Sequence, residues 1–238
     1  MLLRTAVLAV FFVLAVLAIL PVFLLCAVFG RREPLLAYAR GAVRTARAIL
    51  GLPVRVTGSE FLAGPAPRVY MANHVSFLDG PLLFISIPYS LRVILKKSLF
   101  RIPIVGAAMT YVGFVSVDRR GAQGGRAAIE RASALMRAAG LSFLIFPEGT
   151  RSRDGKLQSF KRGGFFLALS AGAPIIPVSI RGAFRLMPRG RWVSRRGSVE
   201  IIFHPPVETA GAKPADMGGL MDAVRRAVAS GLEGELHD

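Results

Sequence analysis

An α/β fold is predicted: a mixed, largely parallel sheet covered by helices, with an N-terminal membrane-anchoring helical segment. Three features carry this. From Pro53 onward, short apolar runs alternate with helical stretches, the pattern of strands joined by helical crossovers. Ahead of them, Ala6 to Phe29 contains no charged residue, and a basic amphipathic stretch links the two regions. A chain of 238 residues suits one domain with an appendage. The division expected is 1–50 for the two N-terminal helices and 51–238 for the domain.

The apolar segment makes a helix of about 36 Å, enough for a hydrocarbon core of about 30 Å. It is too long for the apolar region of a cleaved signal peptide. Cys26 follows Leu24 and Leu25 rather than small residues, so it is assigned to packing within the membrane. A single span and a helix broken at Pro21 that dips into one leaflet both fit. Only Arg4 precedes the segment, whereas Arg31, Arg32, Arg40, Arg44 and Arg47 follow it, so the bias of positive charge puts the remaining chain on the cytoplasmic side. From Pro34, Leu35, Ala39, Val43, Ala46 and Leu50 recur at helical spacing opposite Arg40, Arg44 and Arg47. Such a helix either lies on a membrane surface or packs on the domain core. Because the strand pattern starts only near Pro53, residues 1–30 are expected to be dispensable for folding.

Strands are predicted at 54–58, 68–72, 92–96, 114–117, 141–146, 175–180 and 199–204, with helices near 80–87, 103–110, 124–139, 163–171 and 216–230. Asp216 is the candidate N-cap of the last helix, whose stripe is Met217, Leu220, Met221, Val224 and Val228.

A single cysteine excludes a disulfide framework and a cysteine metal site. The net charge is +17, and no acidic residue lies between Asp154 and Glu200. An anionic partner follows: nucleic acid, anionic lipid head groups or an acidic carrier. The neighbouring apolar segment favours lipid, since basic clusters beside a membrane gain about 1 kcal/mol per Lys or Arg.

Three segments carry chemistry. Asn73-His74-Val75-Ser76-Phe77-Leu78-Asp79 follows a predicted strand, at the strand end where open α/β sheets bind ligands. A histidine can act as a base toward a hydroxyl proton when a carboxylate orients its ring. His74 and Asp79 are the candidate catalytic pair, although Asp79-Gly80-Pro81 also makes a good helix start, with Asp79 as a plain N-cap. The second segment runs from Gly113 to Asp118-Arg119, and the third is Phe146-Pro147-Glu148-Gly149-Thr150-Arg151-Ser152 followed by Phe160-Lys161-Arg162-Gly163. Both bring arginine to strand ends, where a guanidinium fork grips phosphate in bidentate fashion.

In this order, with Ile175 to Ile180 as the fourth block, the segments resemble those of the glycerolipid acyltransferases that act on lysophospholipids. The resemblance covers about residues 54–207, and the Phe146 to Ser152 block is its most specific part. It implies His74 as general base and Asp79 as its orienting carboxylate. Arg119, Glu148, Gly149, Thr150, Arg151 and Lys161 would surround the acceptor, and Pro177 would shape the acyl side. Ser76 is then left to capping or turn packing, because the attacking hydroxyl belongs to the substrate. The implied reaction moves a fatty acyl group from acyl-CoA or acyl carrier protein to the free hydroxyl of 1-acylglycerol 3-phosphate, giving phosphatidic acid, with no metal and no organic cofactor. The implied partners are the lysophospholipid, the acyl donor and anionic membrane lipids, with no nucleic acid. A lyso-aminolipid acceptor is the alternative within the family. Ser116 departs from the bulky apolar residue usual in the second block. A basic membrane protein that binds anionic lipid or nucleic acid is the rival class, and it leaves His74 and Glu148 unexplained. His204 precedes a Pro-Pro and lacks a nearby acidic partner, and His237 falls in a C-terminal tail expected to be disordered; both are taken as structural or incidental.

Overall fold

The computed structural model describes residues 2–64, 67–87, 91–118, 122–191 and 195–234. Helix α1, Leu2–Val28, is unbroken and carries Pro21 inside it. Its segment Ala6–Val28 is long and apolar enough to cross a membrane. Helix α2, Glu33–Leu50, ends at Gly51, whose φ of 59° supplies the left-handed cap. Arg4 at the start of α1 donates to the Leu50 carbonyl at the end of α2, so the two helices run antiparallel.

Among the described residues, seven strands form one sheet: β1 (Val54–Thr57), β2 (Val69–Ala72), β3 (Leu91–Lys96), β4 (Val115–Val117), β5 (Ser142–Ile145), β6 (Ile175–Arg181) and β7 (Val199–Phe203). The order is β1-β7-β6-β2-β5-β3-β4. Every pairing is parallel except β6 with β7, so the sheet is mixed and largely parallel as predicted. Side chains alternate across a strand. Along β2, Tyr70 and Ala72 enter a core shared with α1, α2, α3 (Asp79–Ser86) and α4 (Val105–Tyr111), while Val69 and Met71 enter one shared with α5 (Ala122–Ala139), α6 (Gly163–Ala171) and α8 (Met217–Ser230). Burial on both faces is why the strands read as continuous apolar runs rather than as alternation.

Three local expectations are corrected, and one element is added. Cys26 is buried among domain side chains, and Tyr111 donates its hydroxyl proton to the Cys26 carbonyl at 2.6 Å. Arg40 is not on a solvated face. It is 4% exposed, donates to the Ile87 carbonyl at 2.9 Å and lies over the Phe84 ring. So α2 packs on the domain rather than lying free on a surface. Asp216 does not cap α8 with its side chain; its carboxylate accepts the Lys213 N–H at 2.7 Å, because a 3-10 turn at Pro214–Asp216 leads into the helix. The short helix α7, Ala183–Leu186, follows β6 directly and has no signal in the sequence pattern.

Candidate active site

The site forms where β2 leaves the carboxyl edge of the sheet. Asn73, the first residue past β2, clamps that exit to β6: its amide donates to the Ile180 carbonyl at 3.0 Å and accepts the Ile180 N–H at 2.8 Å. His74 is therefore presented from a strand end whose backbone cannot swing.

Four contacts hold the histidine itself. Its N–H donates to Glu148 Oε1 at 2.7 Å, and its carbonyl accepts the Ser152 N–H at 2.8 Å. The ring stacks on Phe146, with centroids 3.9 Å apart and planes 16° from parallel. Nδ1 lies 2.8 Å from Asp79 Oδ2. The same oxygen accepts the N–H groups of Val75 and Ser76, each at 2.7 Å. An oxygen accepting two backbone donors is a carboxylate acceptor for the ring as well, so Nδ1 carries the proton and the lone pair is at Nε2.

This geometry separates the two roles open to Asp79. Leu78 is the N-cap of α3, and the Asp79 side chain turns back to the preceding loop instead of forward to the helix N–H groups. Asp79 is fully buried, and its Oδ1 has no hydrogen-bond partner among the described residues. With every donor crowded on one oxygen, the buried charge is incompletely solvated. An imidazolium forming next to it supplies the missing compensation.

Glu148 is 2% exposed, and both of its oxygens are engaged by the protein: Oε1 by His74 N–H, Oε2 by the Gln158 N–H at 3.1 Å and side-chain amide at 3.0 Å. Burial pushes its carboxyl above the ordinary value, and these hydrogen bonds oppose the rise. Glu148 thus braces the His74 backbone. Gln158 joins it through tertiary packing, and nothing in its sequence context marked it.

The remaining predicted residues are placed as follows around and away from this centre. Gly149 takes φ of 74°, and the Lys161 side chain lies across it, with Nζ 3.0 Å from where a Cβ would stand. Thr150 and Arg151 flank the histidine loop. Arg189 donates weakly to the Thr150 hydroxyl at 3.4 Å, and the Arg151 guanidinium sits 5.3 Å over the Phe77 ring. Pro177, in contrast, is buried inside β6 opposite Met71, its carbonyl accepting the His204 N–H. Arg119 and His237 lie outside the described residues. Ser76 is buried, donating to the Met187 carbonyl at 2.7 Å and accepting the Leu78 N–H, so its hydroxyl shapes the turn. His204 donates through Nε2 to Ser179 Oγ, whose own proton goes to the Val228 carbonyl and ties α8 to the sheet.

The model of a family described as Acyltransferase matches residues 53–181, more than half of the chain. The chain is 37% identical over 161 residues to 1-acyl-sn-glycerol-3-phosphate acyltransferase LPAT1, chloroplastic, of Arabidopsis thaliana, which covers 67% of this chain and 45% of that protein. It is 31% identical over 195 residues to 1-acyl-sn-glycerol-3-phosphate acyltransferase of Borreliella burgdorferi, covering 82% and 77%, and 32% identical over 217 residues to 1-acyl-sn-glycerol-3-phosphate acyltransferase alpha of Ovis aries, covering 90% and 74%. The chain spans about half the length of the chloroplast relatives. The crystal structure of the 1-acyl-sn-glycerophosphate acyltransferase PlsC from Thermotoga maritima superposes with a TM-score of 0.81 at 31% identity, over 98% of this chain and 94% of that one.

Proposed function

The chain belongs to the acyltransferase family, and from that membership we propose that it transfers a fatty acyl group from an acyl thioester to the free hydroxyl of 1-acylglycerol 3-phosphate, giving phosphatidic acid. The observation that carries the reading is the His74 to Asp79 hydrogen bond, which leaves Nε2 as a proton acceptor at the strand edge. Nε2 takes the acceptor's hydroxyl proton as that oxygen attacks the thioester carbonyl carbon. Asp79 stabilises the imidazolium that results. When the tetrahedral intermediate collapses, the C–S bond breaks, the proton passes to the departing sulfur, and His74 is neutral again. The names of the relatives above support the choice of acceptor.

Arg151, held over Phe77 beside the histidine loop, is assigned to the acceptor's phosphate, so that the hydroxyl is positioned near the base. Lys161, whose side chain lies across Gly149, and the Gly149 backbone are assigned to the same anion. We assign residues 1–50 to membrane attachment and 51–238 to catalysis on the cytoplasmic side, on the strength of the apolar helix and the arginines that follow it.

The test is an acceptor panel with purified full chain in detergent and a labelled acyl thioester. Lysophosphatidate should be acylated far faster than glycerol 3-phosphate or phosphate-free lysolipids, and His74→Ala should abolish turnover. Preference for a phosphate-free lysolipid moves the acceptor assignment to a lyso-aminolipid. Full turnover by His74→Ala removes the mechanism.

A further inference from the structure

The basic stretch between β6 and β7 folds around a cleft. β6 ends at Arg181, Gly182 turns the chain with φ of 80°, and α7 follows. β7 returns antiparallel, placing Arg181 opposite Glu200 in register. Two glycines let these ends close up. A Cβ on Gly182 would run into the Ser198 carbonyl, and one on Gly197 would stand 2.6 Å from the Leu186 side chain. The space left has a volume of about 360 Å³ and is walled by Arg181, Arg185, Arg196 and Glu200, which is within the range of small-ligand sites. Among the described residues Glu200 pairs with Arg181, loosely, at 3.8 Å. Three guanidinium groups against one carboxylate leave an excess of two positive charges, the complement of a phosphate ester.

His74, Asp79, Glu148 and Arg151 do not line this cleft, yet it is tied to them. Met187, two residues past Arg185, accepts the Ser76 hydroxyl at 2.7 Å, and Ser76 is two residues past His74. Two residues span at most about 7 Å, so the backbones at Arg185 and His74 are within about 20 Å. In a glycerol phosphate the phosphate is only a few bonds from the hydroxyl, so it spans only a small part of that distance. A thioester on a long phosphorylated arm reaches across it.

Resting on the acyl-transfer reading, we infer that the Arg181, Arg185 and Arg196 cleft binds the phosphate of the donor's 4′-phosphopantetheine arm, the group that coenzyme A and acyl carrier protein share. The arm then runs past α7 and delivers the thioester carbonyl to His74.

The test uses full-length protein in detergent and the double variant R185S/R196S, which changes only exposed side chains and spares the Arg181 to Glu200 pair. Binding is measured first, without turnover. The dissociation constant for coenzyme A should rise at least tenfold, while that for pantetheine, which has no phosphate, stays unchanged. In turnover, KM should rise for both acyl-CoA and acyl carrier protein. It should not move for lysophosphatidate or for an acyl thioester of N-acetylcysteamine. Unchanged coenzyme A affinity, or an equal loss for pantetheine, overturns the inference. A loss confined to one donor overturns the shared phosphate and assigns the arginines to that donor's own anionic part. The underlying reading fails separately: an unaltered protein that binds coenzyme A through these arginines but acylates no lysolipid keeps the cleft and loses the reaction.

Discussion

Asp79 Oδ2 accepts the Nδ1 proton of His74 at 2.8 Å while holding the N–H groups of Val75 and Ser76 at 2.7 Å, so one atom fixes both the ring and the loop that carries it. In Asp79→Asn the amide oxygen can still accept all three donors, with the NH2 group in the buried position that has no partner among the described residues. The fold should survive with a loss of about 1–3 kcal/mol. The charge that supports the imidazolium is gone, so kcat should fall by about 10³ to 10⁴ with acceptor KM within a few-fold. Near-normal kcat would falsify the catalytic role of Asp79.

Glu148→Gln should act through His74 rather than through the substrate. Three N–H donors converge on the carboxylate, and glutamine offers one oxygen and a competing NH2. A lost buried acceptor costs about 1–3 kcal/mol of stability. Displacement of the His74 backbone should lower kcat for every acceptor alike, phosphate-bearing or not. An effect on KM for lysophosphatidate alone shows instead that Glu148 touches the acceptor.

Arg151→Lys keeps the charge but loses the planar fork and its stacking on Phe77. KM for lysophosphatidate should rise by about tenfold, equivalent to about 1.4 kcal/mol, with donor KM unmoved. Phe77→Ala loosens the guanidinium by about 0.5–1 kcal/mol, so the same KM should rise about two- to fivefold. Steady-state kinetics that show the donor KM rising in place of the acceptor's reverse the assignment.

Burial holds His204 below its ordinary value of 6.5. The unfolded chain therefore binds this proton first, and stability from this group is full above about pH 6.5 and is lost as pH falls through it. Thermal or denaturant unfolding between pH 7 and pH 5 should show a slope that His204→Gln reduces, by at most about 1.4 kcal/mol per pH unit. Identical slopes in the two proteins rule out the linkage.

Contacts of α1 with the domain argue against treating residues 1–30 as dispensable for folding. Ile19, Val22, Phe23 and Cys26 pack into the core, and Tyr38 and Tyr111 donate to carbonyls of Ala15 and Cys26. Removing 1–30 strips all of these and should lower the melting temperature in detergent or cause aggregation. Removing 1–13 leaves them in place and should change it little. Equal stability of the two truncations shows that α1 contributes nothing beyond attachment.

All seven predicted strands appear within a residue or two of their expected bounds. The sheet was legible because each strand is an apolar run bounded by turn residues, and His74 and Asp79 because a histidine right after a strand and a carboxylate five residues on is a local pattern. Arg40, Gln158 and Cys26 were misjudged or missed because their partners lie outside the short window in which each was read: Ile87 for Arg40, Glu148 for Gln158, Tyr111 for Cys26.

What the sequence by itself determined was the alternation of elements, the apolar N-terminal helix, the basic balance and the order of the motifs, since each rests on periodicity or composition within a short window. Only the tertiary structure decided that Asp79 points back to His74 instead of capping α3, that Glu148 holds the His74 backbone, and that three arginines from β6, α7 and the approach to β7 face one cleft. The physical reason is common to all three. A side chain's hydrogen-bond partner is set by its rotamer, as for Asp79, and by packing between segments, as for Glu148 and the arginines, and periodicity within a short window fixes neither.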